Sequence, residues 1–331
     1  MRIGLIDVDG HNFPNIPLMK ISAYHKAKGD TVEWYDPMFS GHMDKVYMSK
    51  IFSFTPDYEY CIDADEIIQG GSGYAISLVN GKEVFDKSKD VPLPPEIEHI
   101  YPDYSIYFDD SAIETDYLTG EVLGLTAKER EKRDTAYGFL SRGCPRGCDF
   151  CHVEAKEGRR SIKVADLSEF WNGQKNIVLC DPNILACREW KDLLQQLIDS
   201  QAWVDINQGL DIRLMTPEKA EMLSKIKLKN IHFAWDRYED KEKILPKFKM
   251  FKDITGINYR KLGVFVLCNF DTSMEQDLER IYTLRDLGFS PYVMLYNKEN
   301  IPKGHELRRL QRYVNNRFIF NSISSFNEYK E

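Results

Sequence analysis

Short apolar runs alternate with amphipathic stretches in two separate parts of the chain. In the first part, four apolar runs predict strands, and the stretch between the first two predicts a helix that ends at Lys28, just before Gly29-Asp30. The predicted strands are 2–9, 31–35, 45–54 and a short one that ends at Gly70-Gly71. This order of elements indicates a small, doubly wound parallel sheet.

In the second part, from residue 134 onward, six apolar runs are separated by amphipathic segments. The predicted strands are 135–141, 176–180, 203–206, 230–234, 262–268 and 291–296. Two helix starts are clearly marked, by Thr216 before Pro217 and by a capping box of Ser273 with Gln276. Six such repeats predict an incomplete (β/α)6 barrel or an open α/β sheet, whose functional groups gather at the carboxyl ends of the strands.

A segment rich in proline and charged residues separates the two parts, and periodicity fades within it. This break predicts four regions along the chain. They are a small α/β domain over residues 1–100, a connecting segment over 101–133, a partial barrel over 134–300 and a helical tail over 301–331.

Composition narrows the class of protein. Of the 331 residues, 43% are hydrophobic and 29% are charged, which is typical of a globular chain and unlike a disordered one. The net charge of −8 excludes a global positive field, so any contact with nucleic acid must be local. The apolar runs are far shorter than the ~20 residues that cross a bilayer, and the first residues lack a signal-peptide pattern. We therefore expect a cytoplasmic protein without a membrane partner.

Cysteine usage points to one loop. Three of the seven cysteines fall within eight residues, which is not the layout of a secreted disulfide framework. They belong to the segment RGCPRGCDFCH, residues 142–152, at the end of the first of the six later strands. The spacing is C-x3-C-x2-C, and an aromatic residue, Phe150, precedes the last cysteine.

Three thiolates on one short loop can hold three irons of a [4Fe–4S] cluster and leave the fourth iron without a protein ligand. A zinc site would need a fourth Cys or His at comparable spacing, and His152 is poorly placed because it directly follows Cys151. A disulfide would use two of the thiols and leave the third unpaired. A zinc loop or a purely electron-transferring cluster remains the alternative interpretation.

This loop and the six-strand alternation behind it resemble the radical S-adenosylmethionine (SAM) superfamily over about half of the chain. The pattern RGCPxxCxFC is similar to members that carry an N-terminal cobalamin-binding-like domain. The resemblance implies that SAM binds the open iron and that one electron cleaves it to methionine and a 5′-deoxyadenosyl radical, which abstracts hydrogen from a substrate. It also implies an electron donor such as flavodoxin or ferredoxin.

The resemblance assigns roles by position. Cys144, Cys148 and Cys151 become the cluster ligands, and Phe150 packs by the adenine of SAM. Asp181 or Asn183 binds the SAM amino group, and Arg213 meets its carboxylate. Other candidates for contacts with SAM or substrate, each at a strand end where ordinary capping is the alternative, are Gln208, Asp211, Asp236, Asn269 and Tyr296. No catalytic residue is identified, and the other later cysteines, Cys180, Cys187 and Cys268, are expected to be small buried hydrophobes.

The first turn of the chain bears on cobalamin. The sequence from Asp9 to Pro14 is one residue from the D-x-H-x-x-G signature that offers a histidine, here His11, to cobalt. Ser49 and Gly70-Gly71 are similar to the positions that line the cobalamin tail. However, Pro14 stiffens the loop, and the connection from Ser49 to Gly70 is short for a crossover helix. We therefore favour a domain that does not bind cobalamin, with its cavity filled by side chains such as Phe13 and Tyr74.

Two groups of basic residues stand out. Lysines recur over 241–252. Lys303 and the arginines 308, 309, 312 and 317 form a second group, with Tyr313, Phe318 and Phe320 among or just after them. The second group is a candidate contact for a nucleic-acid backbone, although a solvated helix face is the commoner meaning of such a pattern.

Three functions follow from these patterns. The first is a radical SAM enzyme that acts on an unidentified substrate. The second is a cobalamin-dependent radical SAM methyltransferase, and the third is a non-catalytic iron–sulfur or zinc module.

Overall fold

A computed structural model of the chain describes residues 1–10, 13–79, 82–108 and 125–330. His11 and part of the predicted connecting segment lie outside these residues. The chain divides into two compact units. The N-terminal unit comprises Met1–Val79, Glu83–Gly138 and Leu167–Asn176, and the C-terminal unit comprises Asn80–Lys82, Phe139–Asp166 and Ile177–Glu331.

In the described residues, both units contain strands and helices. The strands are β1 (Arg2–Asp7), β2 (Thr31–Trp34), β3 (Met43–Ser49), β4 (Ala64–Gly70), β5 (Ile76–Val79), β6 (Lys82–Phe85), β7 (Thr135–Gly138), β8 (Ser141–Arg142), β9 (Ile162–Lys163), β10 (Asn176–Leu179), β11 (Trp203–Leu210), β12 (Leu228–Ala234), β13 (Leu262–Cys268) and β14 (Ser290–Leu295). The α-helices are α1 (Ile16–Ala27), α2 (Ser72–Ala75), α3 (Pro95–Glu98), α4 (Ala127–Arg133), α5 (Val153–Glu157), α6 (Trp190–Ser200), α7 (Pro217–Lys225), α8 (Lys241–Thr255), α9 (Met274–Asp286), α10 (Glu306–Asn315) and α11 (Arg317–Ser322). Among them, no helix is both long and apolar enough to cross a membrane.

The N-terminal sheet has the strand order β2-β1-β3-β4, and its neighbouring strands are parallel. This is the order in which a doubly wound fold begins. On one face, Ile3 and Leu5 pack against Leu18 and Ile21 of α1. The start of α1 is fixed by Asn15, whose side chain accepts a hydrogen bond from the backbone N–H of Leu18 at 3.3 Å.

The other face of this sheet is covered differently. Ile6, Val46 and Met48 pack against Tyr58 and Tyr74 rather than against a long helix. Within the described residues, no helix connects β2 to β3 or β3 to β4. The strand order of a doubly wound domain is therefore kept, while its second face is covered in the described residues by aromatic side chains from a loop (Tyr58) and from the short helix α2 (Tyr74).

The second sheet has six strands in the order β14-β13-β12-β11-β10-β7, and the pairs from β11 to β14 are parallel. These six are the six strands predicted from the apolar runs, so the α/β class with parallel sheets is confirmed. The structure extends the third of them, β11, to Leu210, and the pairing of β11 with β12 shifts between Ile206 and Gly209. Gln208 therefore lies within the strand, not after it as predicted.

The helices between these strands bury one face of the sheet. Phe233 of β12 contacts Phe248 and Phe251 of α8 edge to face, with ring centroids 5.8 and 5.0 Å apart. Both predicted helix starts are confirmed. Thr216 accepts a hydrogen bond from the N–H of Lys219, and Ser273 forms a complete capping box with Gln276.

Strand β14 lies at an edge of the six-stranded sheet, where α10 runs beside it. The side-chain amide of Asn315 bonds both backbone groups of Val293, accepting from its N–H at 2.7 Å and donating to its C=O at 3.0 Å. Gln311 donates to the same C=O at 3.0 Å. Two side chains of α10 thus satisfy backbone groups that a further strand would otherwise pair.

Candidate functional site

The three-cysteine loop follows β8 and ends at α5. Two glycines shape it. Gly143 has φ +88°, and a Cβ atom there would overlap the carbonyl oxygen of Arg160. Gly147 has φ +59°, and a Cβ atom would overlap the Glu154 carboxylate. The glycine before each of the first two cysteines is therefore required by the backbone.

The start of the loop is held by the Glu157 carboxylate. It accepts hydrogen bonds from the N–H of Gly143 at 3.0 Å and from Arg142 Nη1 at 3.3 Å. The N–H of Cys144 donates to the C=O of Gly158 at 3.2 Å, and the N–H of Cys151 donates to the C=O of Cys148 at 3.0 Å. These contacts fix the backbone between the first and last cysteine.

Asp181, two residues after the end of β10, holds the segment before the loop. Its carboxylate accepts from the N–H of Leu140 at 2.8 Å and from both the N–H and the hydroxyl of Ser141. Burial raises the pKa of Asp181 to about 7, although these hydrogen bonds favour the charged form. Because both of its oxygens already accept hydrogen bonds, Asp181 acts as a positioning residue in this arrangement.

Asn183 lies beside the first cysteine. Its Nδ2 is 3.5 Å from Cys144 Sγ, and the hydroxyl of Ser161 donates to its backbone C=O at 3.0 Å. The side chain is buried, and in the described part of the chain its Oδ1 accepts no hydrogen bond. A buried acceptor without a donor is unfavourable by about 1–3 kcal/mol, so this oxygen is suited to receive an N–H from a ligand.

The three thiols of the loop are not arranged as a metal-binding group in the structure. Within residues 1–10, 13–79, 82–108 and 125–330, no three His, Cys, Asp or Glu side chains are arranged to hold a metal ion. Cys144 and Cys148 are half-buried, whereas Cys151 is exposed. Burial, followed by the nearby charge of Asp236, raises the pKa of Cys148, while Arg146 and Arg213 oppose that rise.

The carboxyl end of β11 brings opposite charges together near this loop. Arg213 donates to Asp211 at 2.6 Å and to Asp240 at 2.5 Å. The other oxygen of Asp211 is buried and lies 3.5 Å from Arg146 Nε, an ion pair without a hydrogen bond. Arg213 is thus already neutralised by two carboxylates, whereas the described residues give Arg146, on the cysteine loop itself, this one long ion pair.

The ends of β12 and β13 are joined by a buried arginine. Arg280 of α9 donates to the carbonyl oxygens of Trp235, Asp236 and Leu267 at 2.7–2.8 Å. Burial raises the pKa of Asp236 to about 6, and the charges of Arg280 and Arg213 oppose the rise. The predicted site residue Asp236 therefore lies in the same charged group as Arg213 and Cys148.

Three of the remaining predicted residues, Phe150, Asn269 and Tyr296, lie around Phe270. Phe150 contacts Phe270 edge to face at 5.2 Å, and Phe270 contacts Tyr296 at 5.0 Å. Asn269 has φ +66° and donates to the C=O of Tyr296 at 3.1 Å. Gln208 is exposed, and no contact joins it to this group or to the charged one within the described residues.

Sequence patterns did not reveal Arg146, Phe270 or Arg280. The cysteines on either side of Arg146 already explained the pattern of that segment, so the arginine did not stand out. Phe270 directly follows Asn269, which was chosen as the candidate at the end of that strand. Arg280 reads as an ordinary helix residue, because nothing local marks a charged side chain that is fully buried.

The cobalamin-related positions lie in the N-terminal unit. Tyr74 packs on the sheet as expected, but Phe13 is 69% exposed and fills no cavity. A Cβ atom at Gly71 would overlap the carbonyl oxygen of Lys50, so the chain itself occupies the space beside that glycine. A separate cavity of about 750 Å³ borders residues 5–8, 34–36 and 56–60.

In neither of the two basic groups do all the residues form a solvated surface. In the first, Lys247 donates to the C=O of Met215, and Lys252 to the C=O groups of Ile257 and Gly288. In the second, Tyr313 and Phe320 are buried, so they belong to the core and offer no stacking surface. Only Phe318 of those aromatic residues is exposed, at 87%.

Comparison with known proteins gives no relative: no family model matches the chain, and no curated protein shows significant similarity.

Proposed function

We propose that the chain is a radical SAM enzyme, in which Cys144, Cys148 and Cys151 hold a [4Fe–4S] cluster and SAM occupies its open iron. The observation that carries the proposal is the position of the cysteine loop. It comes after β7, the first strand of the six-stranded parallel sheet, and the short strand β8, and one side chain that follows each of β10, β11 and β12 contacts it: Asn183 at Cys144, Asp211 at Arg146 and Arg237 at Asp149. The six-stranded sheet would then be the partial barrel of such an enzyme, and the N-terminal sheet its cobalamin-binding-like domain.

The donor set fits this cluster in its chemistry. Three thiols on one loop match three irons, and hydrogen bonds to the sulfurs tune the potential of such clusters. The N–H of Asn183 that faces Cys144 Sγ is a donor of that kind. Since the three thiols do not converge in the structure, side-chain rotation would have to accompany cluster binding.

When bound, the cluster and SAM would supply one-electron cleavage of a carbon–sulfur bond. The side chains of the protein would position the cysteine loop and bind the charged groups of SAM. Asp181 fixes the backbone before the loop, and Asn183 Oδ1 is available for the SAM amino group. Arg146 is better placed than Arg213 to meet the SAM carboxylate, since Arg213 already pairs with two carboxylates. Cys151 is exposed, which leaves the loop open to an electron carrier such as flavodoxin or ferredoxin.

The test is anaerobic reconstitution with iron and sulfide, followed by reduction in the presence of SAM. We expect about four irons and four sulfides per chain and release of 5′-deoxyadenosine, measured by mass spectrometry. Cys144→Ala, Cys148→Ala and Cys151→Ala should each lose the cluster. Cys61→Ala, which removes an exposed cysteine outside the loop, is the matched control and should keep it.

The alternatives predict different products. Stoichiometric zinc without iron would overturn the proposal in favour of a zinc module. An iron–sulfur cluster that leaves SAM intact after reduction would indicate a redox module. Cleavage that requires added cobalamin would indicate the methyltransferase.

A further inference from the structure

The cavity of the N-terminal unit lies at the carboxyl ends of β1 and β2. Its volume, about 750 Å³, falls within the ~300–1,000 Å³ that small-molecule sites occupy. It is lined by the end of β1 (5–8), by the end of β2 with the two residues after it (34–36), and by part of the loop between β3 and β4 (56–60). In a parallel α/β sheet, ligands bind at this edge.

Aromatic rings and carboxyl groups together line this cavity. The rings are Trp34, Tyr35, Tyr58 and Tyr60, and the carboxyl groups are Asp7, Asp36, Asp57 and Glu59. None of the described residues that line it is a lysine, an arginine or a histidine. Such a cavity favours a cation, because carboxylates and the faces of aromatic rings both attract positive charge.

Three of the four carboxyl groups have no cation beside them. Asp57 is paired with Lys50, whose Nζ lies 2.6 Å from its Oδ1. Asp7, Asp36 and Glu59, by contrast, form no ion pair with any residue that the structure describes. These three carboxylates are therefore available to a cation from outside the chain.

Hydrogen bonds within the chain orient two of these carboxyl groups. Asp36 Oδ1 accepts from the backbone N–H groups of Met38 and Phe39, at 2.8 and 3.2 Å. Asp7 Oδ2 accepts from the hydroxyl of Tyr107 at 2.6 Å. A neutral donor orients a carboxylate without removing its charge, so both groups can still attract a cation.

The placement of the acids indicates an elongated cation, not a metal ion. Among the described residues, no three His, Cys, Asp or Glu side chains are arranged to hold a metal ion. Asp7 belongs to β1, Asp36 follows β2, and Glu59 lies in the loop before β4. Carboxylates on separate elements match several ammonium groups on one chain, and aromatic rings match the methylene carbons that join them.

Tyr58 and Tyr60 form one wall of the cavity. Their rings contact each other, with centroids 5.4 Å apart and planes at 63°. Tyr60 is 69% exposed, so its ring is accessible. The hydroxyl of Tyr58 is buried and has no hydrogen-bond partner in the part of the chain that the structure describes. A hydroxyl in that state is unfavourable, so an N–H group from a ligand would stabilise it.

We propose that this cavity binds a polyamine, a chain of protonated amines joined by methylene groups. The ammonium groups lie at the carboxylates of Asp7, Asp36 and Glu59, and the methylene carbons lie against Tyr58 and Tyr60. The inference goes beyond the proposed function, because the site belongs to the N-terminal unit and needs neither the cluster nor SAM. A chain of net charge −8 attracts every cation to some extent, so the test must separate this cavity from the general surface charge.

The test is calorimetric titration of the whole chain with spermidine at low salt. We expect one site per chain, with an affinity about threefold higher than that for putrescine, which has one ammonium group fewer. Choline, a quaternary cation without an N–H donor, should bind at least about tenfold more weakly than spermidine. Mg²⁺ at a concentration equal to that of spermidine should not displace it, because the carboxylates do not converge on one point.

Three variants separate the contributions of charge and ring. Asp36→Asn and Glu59→Gln should each weaken spermidine binding about threefold, and the double variant about tenfold. Asparagine at position 36 keeps an oxygen that can accept the two backbone hydrogen bonds. Tyr60→Leu should weaken binding about threefold, the order of one cation–ring contact.

The matched control is Glu96→Gln, which removes an exposed carboxylate of α3 outside the cavity and should leave the affinity unchanged. If Asp36→Asn does not fold by circular dichroism, Glu59→Gln, at an exposed position, carries the test.

The outcomes are separable from those of the proposed function. Binding needs no iron, so Cys144→Ala protein, which cannot hold the cluster, should bind spermidine as tightly as wild type. Absence of binding at millimolar spermidine, displacement by Mg²⁺, equal affinity for choline, or wild-type affinity in the double variant Asp36→Asn with Glu59→Gln would each overturn the inference. None of these results changes whether the cysteine loop assembles a cluster and cleaves SAM.

Discussion

Arg280 and Asp277 form an ion pair at 2.5 Å in which both side chains are buried, three residues apart on α9. The hydroxyl of Thr272 also donates to Asp277, at 2.6 Å. Through its bonds to three carbonyl oxygens, Arg280 ties the carboxyl ends of β12 and β13 to this pair. The ion pair therefore holds the carboxyl ends of β12 and β13 in place beside the proposed site.

Arg280→Met should destabilise the protein by about 3–5 kcal/mol, because it leaves the Asp277 carboxylate buried without its partner. The measurement is the free energy of unfolding in urea. The double variant Arg280→Met with Asp277→Leu removes both charges and should recover a large part of that loss. Equal destabilisation in the single and double variants would show that the carbonyl contacts, not the ion pair, matter.

Gly143→Ala should impair the cysteine loop more than Gly158→Ala. Both glycines have positive φ, +88° and +91°, so both substitutions carry backbone strain of about 1–2 kcal/mol. Only at Gly143 would the new Cβ also overlap a backbone oxygen, while nothing lies within 4 Å at Gly158. Iron content after reconstitution and the urea midpoint are the two measurements, and similar values for both variants would contradict the role of that close approach.

Asn183→Ala should weaken SAM binding by about tenfold, the order of one hydrogen bond to a charged group, while the cluster is retained. Binding is measured by equilibrium dialysis of reconstituted protein. Asn327→Ala, at an exposed asparagine of the C-terminal tail, is the control. Unchanged SAM affinity in Asn183→Ala would exclude Asn183 from the site and leave the cluster assignment standing.

The stability of the N-terminal unit should fall as pH rises from 5 to 7. Burial raises the pKa of Asp7 to about 6, although the Tyr107 hydroxyl donates to it at 2.6 Å. The folded state therefore binds the proton more tightly than the unfolded chain, and that advantage disappears as pH passes through 6. We expect a loss of about 1 kcal/mol, after allowance for partial exposure to solvent.

The change is isolated by comparing urea midpoints of wild type and Asp7→Asn at the two pH values. The variant should lack this part of the slope, whereas Asp253→Asn, at an exposed carboxyl, should keep it. A wild-type slope in Asp7→Asn would assign the effect to another group.

Cobalamin should not bind. The chain at Lys50 fills the space beside Gly71, and no helix in the described residues spans the connection from β3 to β4. After incubation with hydroxocobalamin and desalting, we expect no stoichiometric corrinoid absorbance. Tight one-to-one binding that His11→Ala weakens would instead support the methyltransferase.

The sequence predicted the strands well where apolar runs face the helices, and less well where tertiary contacts end them. The predicted third strand continued to Phe54 because Ile51, Phe52 and Phe54 are apolar. In the structure β3 ends at Ser49, and Phe52 and Phe54 are 44% and 82% exposed. Conversely, β11 continues through polar Asn207 and Gln208, which hydropathy takes for a loop.

The sequence predicted where the candidate site lies, but not how its side chains pair with one another. Spacing alone identified the cysteines, since three thiols in eight residues have few structural uses. It did not show which strand-end side chains satisfy one another. Arg213 pairs with Asp211 and Asp240. Asp181 accepts hydrogen bonds from Leu140 and Ser141, which are 41 and 40 positions away in the chain.

Asn315 gives the edge of the six-stranded sheet a protection against self-association. An uncovered edge strand exposes a template on which another copy of the chain can add its own strand. Asn315 bonds both the N–H and the C=O of Val293, so these two groups cannot pair with another strand. Tyr292, the neighbouring residue, stays exposed. The edge strand can therefore keep an exposed aromatic ring without offering the backbone at Val293 to a second copy of the chain.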